Sequence, residues 1–177
     1  MRLAEAWHQR VLADPVGSLA FEGGFHPDHP RRLAAYWSEA LGGPSVYTQL
    51  LGSESSVVHM HSRNGPHTEL DRRAVACFDQ ALTDAEYIQE PVRPAFHDYF
   101  LWATSNLTRY PDSPDEVPDT LGLPAWTWDG LTSGLIGPGL AEVVQVEHRA
   151  VRVMRRIRNW TGARRHTAAP VIPRSAS

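Results

Sequence analysis

The amino-acid sequence predicts an all-α fold, because its apolar residues recur at helical spacing and no segment alternates as a β-strand would. The chain has 177 residues, 42% of them hydrophobic, which suffices for one ordinary core with appendages. Helices are predicted at residues 1–14, 30–41, 67–82, 94–110 and 140–160. The sequence therefore favours a helical domain followed by a C-terminal extension.

The first two helices have clear boundaries. The helix at Met1–Asp14 stops before Pro15, whose ring cannot continue a helix, and its apolar face carries Leu3, Trp7, Val11 and Leu12. The helix at Pro30–Leu41 has Asp28 as a predicted cap and a proline in its first turn. Gly42-Gly43-Pro44 ends it.

The next segment, residues 53–66, is predicted to be mostly loop, with one helical turn at 56–61. Two amphipathic helices follow it, at His67–Leu82 and Pro94–Tyr110. Their inner faces are expected to carry Leu70, Ala74, Cys77, Phe78 and Ala81 in the first, and Phe96, Tyr99, Phe100, Ala103 and Leu107 in the second.

The composition changes after Tyr110, which marks the end of a domain at residues 1–110. An acidic, proline-rich arm at 111–136 is expected to dock on that domain through Trp126, Trp128 and Leu131. A basic amphipathic helix is predicted within 137–160, from Leu140, and a disordered tail at 161–177.

Charge and cysteine content exclude several classes of protein. The formal charge is −3, and the chain as a whole has no character that would favour a specific nucleic-acid partner. Cys77 is the only cysteine, so an internal disulfide or a cysteine-based zinc cage is excluded. No signal peptide or membrane-spanning run is recognisable, and we expect a cytoplasmic protein. The basic helix at 140–160 favours docking on the domain or on a second copy, as a homodimer, over binding to an anionic membrane surface.

The run Leu41-Gly42-Gly43-Pro44-x-x-Tyr47, followed by the dipeptide before Ser62, resembles a motif of the truncated haemoglobins. The resemblance is nearest to group II of these two-over-two helical globins, which are largely bacterial. It covers about Ala4 to Tyr110, with one inserted residue between Gly52 and His61. A run of matched spacings of this length is stronger than any single short motif.

The resemblance implies a truncated two-over-two globin fold that carries haem b and binds oxygen or another diatomic ligand, such as NO or CO. His61 corresponds to the proximal iron ligand, Phe21 to an aromatic that wedges against the haem, and Leu33 to an apolar wall above the iron. Further residues expected to line the haem are Tyr36, Trp37, Tyr47, Ala74 and Phe78. NO dioxygenase or peroxidase-like activity, with an unidentified reductase, is a secondary expectation.

The chain departs from the family at two distal positions. The usual distal tyrosine is His8 here, and the usual tryptophan after the proximal histidine is Ala74, which removes an indole donor and is expected to leave a larger cavity. His8 and His29 are therefore the expected source of distal polarity, with His29 also a candidate sixth iron ligand or a solvent-facing residue. The family's first short helix would precede Met1.

Alternatives remain open at this point. His59 could be the inward residue, with His61 on the surface. A metalloprotein without haem could use His26 and His29 together with His59 and His61, although such short pairs are commonplace. A helical interaction module that has lost haem is the other class of function to test.

Overall fold

A computed structural model describes residues 1–63 and 67–133, all within one compact unit. In chain order its elements are α1 (Arg2–Ala13), α2 (His29–Ala40), α3 (Val46–Leu50), α4 (Glu54–His61), α5 (Thr68–Asp84), α6 (Val92–Leu107), β1 (Ala125–Thr127) and β2 (Gly130–Ser133). Short 3₁₀ helices occur at Gly17–Phe21 and Pro114–Glu116. The basic helix predicted within 137–160 and the tail at 161–177 lie outside the described residues.

The predicted all-α class is confirmed, and the four predicted helices before residue 111 correspond to α1, α2, α5 and α6. Asp28 takes the cap position of α2, but its side chain makes no capping hydrogen bond. Two helices differ from the prediction. The segment expected to be mostly loop contains the eight-residue helix α4, and α3 was not predicted.

A capping box explains why α4 forms. The side chain of Ser53 accepts a hydrogen bond from the backbone N–H of Ser56 at 3.2 Å. The hydroxyl of Ser56 accepts one from the Ser53 N–H at 3.1 Å. Reciprocal bonds of this kind satisfy two donors that a helix otherwise leaves without partners. The usual sequence sign of a capping box is a Glu or Gln at the second position, so a serine there is easily overlooked.

Aromatic rings from four helices form the centre of the core. Phe78 of α5 and Phe100 of α6 stack with ring centroids 4.1 Å apart and planes at 5°. Trp37 of α2 meets Phe78 edge-on at 5.3 Å, and Trp7 of α1 meets Trp37 at 5.8 Å. Each such pair typically adds about 0.5–1.5 kcal/mol beyond the area that it buries. The packing of α1, α2, α5 and α6 therefore converges on these four rings.

The connection that follows α1 is tied down at Asp14. The guanidinium of Arg73 on α5 and the backbone N–H groups of Val16 and Gly17 hydrogen-bond its carboxylate. These bonds lower the pKa of Asp14 to about 2, and the bond from Arg73 has the largest effect. A Cβ at residue 17 would meet Val11 Cγ2 at 2.8 Å, so glycine allows the 3₁₀ helix to lie close against α1.

The segment after α6 contacts α4 and α6. Ser55 of α4 donates to the carbonyl of Pro118 at 2.7 Å and accepts from the N–H of Leu121 at 3.0 Å. Trp126 is buried, 5.9 Å from Tyr99 and 5.6 Å from Trp102 between ring centroids.

The three expected anchors of this segment differ in burial. Trp126 is buried and Leu131 is half-buried, whereas Trp128 is 66% exposed. The β1–β2 hairpin was not predicted, because strands of three and four residues are too short to show an alternating pattern.

None of the helices in the described part of the chain is both long and apolar enough to cross a membrane.

Candidate functional site

Four rings meet where the middle of α1 faces the start of α2. They belong to His8, Phe21, Phe25 and His29, and every pair of ring centroids is 4.7–6.0 Å apart. Successive side chains of an α-helix point about 100° apart, so His8 is directed toward this group while Trp7, the residue before it on α1, points in another direction. The 3₁₀ helix at Gly17–Phe21 delivers Phe21. We call these four residues the His8–His29 cluster.

The two imidazoles of the cluster are held in an apolar setting. His8 is 7% exposed, and the Nδ1 atoms of His8 and His29 are both buried without a hydrogen-bond partner among the described residues. Burial lowers the pKa of His8. The pKa of His29 falls to about 4, first because of burial and then because of the positive charges that His8, His61, Arg32 and His26 can carry. Both rings are therefore neutral near pH 7.

His61 is the last residue of α4 and is half-buried, whereas His59 on the same helix is exposed. The Nδ1 atom of His61 lies 2.7 Å from the carbonyl oxygen of Val57, one turn earlier. Nδ1 must carry the hydrogen to donate to a carbonyl, so the lone pair is on Nε2. Burial lowers the pKa of His61, and the bond to Val57 partly opposes this. A positive charge on His61 of α4 would lower the pKa of His29 of α2, after the larger effects of burial and of His8.

The other residues that the sequence predicted to line a haem lie outside this cluster. Leu33 is half-buried on α2, one turn after His29, and Trp37 and Phe78 belong to the aromatic core. Tyr36 and Tyr47 are buried with their rings 5.1 Å apart. The structure thus brings Phe21, His8 and His29 into one cluster, while Tyr36, Trp37, Tyr47 and Phe78 pack deeper. Phe25 completes the cluster and was not among the predicted site residues.

A side chain from α1 packs against Ala74 on α5. The indole N–H of Trp7 donates to the Ala74 carbonyl at 3.1 Å, so an indole from α1 lies against this position. Trp7 is 9% exposed and its ring centroid is 6.3 Å from that of Phe21. The expectation of a larger cavity beside Ala74 neglected this neighbour, which is distant in sequence. The Trp7 N–H is engaged with the backbone, so Trp7 offers no free donor to the cluster.

A second polar group, which sequence reasoning missed, is centred on Glu54 at the start of α4. Glu54 is 2% exposed and accepts a hydrogen bond from the Tyr36 hydroxyl at 2.7 Å. Asn106 Nδ2 donates to it at 3.3 Å, and Arg109 Nη1 lies 3.9 Å from the same carboxylate. Burial nevertheless raises the pKa of Glu54 above its usual value. A lone carboxylate in a first helical turn ordinarily indicates an exposed residue, which is why the sequence did not point to it.

The described residues contain no group of three or more His, Cys, Asp or Glu side chains arranged to hold a metal ion by themselves. The alternative in which His26, His29, His59 and His61 clasp a metal without haem therefore gains no support from residues 1–63 and 67–133. His26 and His59 are both exposed.

No protein-family model matches the chain, and no curated protein matches it in sequence. Solved structures do match: the fold is that of the truncated haemoglobins. The group II truncated haemoglobin of Bacillus anthracis is similar with a TM-score of 0.52 and 19% identity, over 62% of this chain and 87% of that one. The truncated oxygen-avid haemoglobin of Bacillus subtilis gives 0.51 and 17%, over 61% and 89%. One of these matched structures is thus a group II truncated haemoglobin, the group that the sequence most resembles.

Proposed function

We propose that this protein is a truncated globin that binds haem b and, through it, oxygen or another diatomic ligand. One observation carries the proposal: two imidazoles whose Nδ1 atoms are buried without partners among the described residues meet two phenyl rings in one cluster, while His61 has its Nδ1 bound to a backbone carbonyl. The globin-like fold supports it, and so does the position of His61 on α4, inward of the exposed His59.

The residues fit a haem. An iron-ligating histidine characteristically donates its other N–H to a carbonyl or carboxylate, which fixes the tautomer and the orientation of the ring, and His61 does so to Val57. Phe21 and Phe25 supply apolar surface within the His8–His29 cluster, and Leu33 lies one turn after His29 on α2. The Nδ1 atoms of His8 and His29 are buried polar atoms without partners in the described part of the chain, as expected where another group completes the site.

The haem would supply an iron atom that binds diatomic ligands reversibly. His61 would hold that iron through Nε2, and its bond to Val57 would keep the imidazole aligned. His8 and His29, both neutral near pH 7, would each have one N–H to donate to the ligand. Phe21 and Leu33 would exclude water. The Bacillus subtilis relative is described as oxygen-avid, which favours oxygen as the ligand. NO dioxygenase or peroxidase-like turnover would further require electrons from a reductase.

Titration with haem tests the proposal. The full chain, purified without haem, should take up about one equivalent and develop the intense absorption band of a histidine-ligated haem protein, which should shift on reduction and again under carbon monoxide. An exposed-site control, His59→Ala, should titrate in the same way. Absence of saturable uptake would contradict the proposal and favour a helical interaction module without haem.

Replacing with leucine whichever of His8 and His29 donates to the bound ligand should weaken oxygen binding. A hydrogen bond to the ligand contributes about 1–3 kcal/mol, so losing the histidine that donates it should speed oxygen dissociation about tenfold or more. Stopped-flow measurement of oxygen release from His8→Leu and His29→Leu will show which histidine donates. His26→Leu, at an exposed position in the preceding loop, is the matched control. Unchanged rates in both variants would mean that neither histidine donates to oxygen.

A further inference from the structure

We infer that Tyr36 is a redox-active tyrosine, which gives one electron to a strong one-electron oxidant, such as an oxygen-centred radical, while its phenolic proton passes to Glu54. The Tyr36–Glu54 pair shares no residue with the His8–His29 cluster and has no part in the proposed binding of a diatomic ligand. The inference therefore goes beyond the proposed function and does not depend on the haem assignment.

The hydrogen bond from Tyr36 to Glu54 supplies what the oxidation of a phenol needs. A phenol that loses an electron becomes a strong acid, so the electron leaves readily only where a base takes the proton at the same time. The Tyr36 hydroxyl donates to Oε2 of Glu54 at 2.7 Å, within the reach of about 2.6–3.2 Å that a positioned base requires. The two residues are 6% and 2% exposed, so solvent is kept from both ends of this bond.

The neighbours of Glu54 hold its carboxylate as an acceptor. Asn106 Nδ2 donates to Oε1 at 3.3 Å, and Arg109 Nη1 lies 3.9 Å from the same oxygen, so both carboxylate oxygens face donors. Transfer of the proton turns a phenol and a carboxylate into a neutral phenoxyl radical and a carboxylic acid. Burial favours this change, because the pair loses its negative charge. Arg109 keeps its bond to the Asn106 carbonyl, at 2.9 Å.

Two neighbouring tyrosines lack such an acceptor. The ring centroid of Tyr47 is 5.1 Å from that of Tyr36. Hydrogen bonds with Arg32 and Ser56 oppose the rise that burial causes in the pKa of Tyr47, but neither group is a base near neutral pH. The hydroxyl of Tyr99 is buried without a hydrogen-bond partner among the described residues. Oxidation of either ring leaves a proton without an acceptor, so the radical settles on Tyr36.

Aromatic rings lead from the pair toward the surface. Tyr99 is near enough to Glu54 for the carboxylate to raise its pKa, after the larger effect of burial. The ring centroid of Tyr99 is 5.9 Å from that of Trp126, and Trp126 precedes the 66% exposed Trp128 by two residues. An oxidant in solution can therefore take its electron from an exposed indole, and Tyr36 can replace that electron through the rings between them.

The step balances with one oxidant. The oxidant gains one electron from the indole and is reduced. The O–H bond of Tyr36 then breaks, its electron passes to the indole radical, and its proton forms an O–H bond on Oε2 of Glu54. A reductant that supplies one electron reverses the step, because the proton returns to the phenolic oxygen.

Radical transfer within the full chain, without haem, tests the inference. Azide radicals, generated by pulse radiolysis, oxidise tryptophan side chains, and the absorbance of the tryptophan radical should decay as that of a tyrosine radical rises. The rate should not depend on protein concentration. Tyr36→Phe removes the electron donor, and Glu54→Gln keeps an acceptor for the phenol but takes up no proton. Each should slow the transfer about a hundredfold, since a positioned proton acceptor contributes about 10²–10⁴-fold.

Tyr47→Phe is the matched control, because it removes the hydroxyl of the ring packed against Tyr36 and should leave the rate unchanged. Transfer in the wild type should be slower in D₂O than in water, since an O–H bond breaks, and this measurement needs no variant to fold. An unchanged rate in Tyr36→Phe overturns the inference, and so does a wild-type rate that is equal in the two solvents. Haem takes no part in these measurements, so their failure leaves the proposed ligand-binding function standing.

Discussion

Replacing His61 with alanine should lower the affinity for haem by more than about a hundredfold. Partners in the outer shell of a metal ligand already contribute about 10–100-fold, and His61 is the proposed ligand itself. Its Nδ1 is held 2.7 Å from the Val57 carbonyl, so the ring is oriented before haem binds. The affinity is measured by haem titration, and by the rate at which haem passes to an excess of a haem-scavenging protein.

His59→Ala is the matched control, because it removes an exposed imidazole from the same helix two residues earlier. Added imidazole should restore the wild-type spectrum to His61→Ala, since the lost side chain leaves space for a free ligand. If His61→Ala retains haem with an unchanged spectrum, the assignment of the iron ligand is wrong. If His59→Ala loses haem instead, the iron ligand is His59 and not His61.

Helical periodicity predicted most of the fold because the buried faces of α1, α2, α5 and α6 are long enough to show it. Trp7 and Val11, or Ala74 and Phe78, recur at three or four residues and turned out to be buried. Helix α4 is only eight residues long, its buried apolar residues are the adjacent Val57 and Val58, and its start depends on hydrogen bonds between Ser53 and Ser56. Hydrophobic periodicity therefore misses a helix whose start is set by capping hydrogen bonds.

The candidate site was predictable in part for a related reason. His8, Phe21 and His29 were found through a resemblance in spacing, and the structure places their rings together. Phe25 follows two glycines in a loop with no periodicity, so nothing in the sequence directs its side chain. The bond from Trp7 to the Ala74 carbonyl joins residues 67 positions apart, and such pairs cannot be inferred from one sequence alone.

Glu54→Ala should destabilise the fold more than other single changes of a charged residue in the described part of the chain. Removing one partner from a buried, hydrogen-bonded charged group typically costs about 3–5 kcal/mol. Here the change takes the acceptor from the Tyr36 hydroxyl and from Asn106, and the counter-charge from Arg109. The free energy of unfolding is measured by urea denaturation near pH 7. Glu69→Ala, at an exposed carboxylate on α5, is the control and should have a much smaller effect.

The pH dependence of stability distinguishes the charge of Glu54 from its hydrogen bonds. Burial raises the pKa of Glu54, so the folded protein keeps this proton to a higher pH than the unfolded chain does. That contribution to stability is complete below the unfolded pKa of about 4.3, and is lost as the pH rises through the raised pKa of the folded state. Glu54→Gln keeps an acceptor for Tyr36 but does not titrate. It should therefore lose less stability than Glu54→Ala, and the wild type should lose stability relative to Glu54→Gln as the pH rises across that range. Equal losses in the two variants, with no dependence of this difference on pH, would show that Glu54 contributes through packing alone.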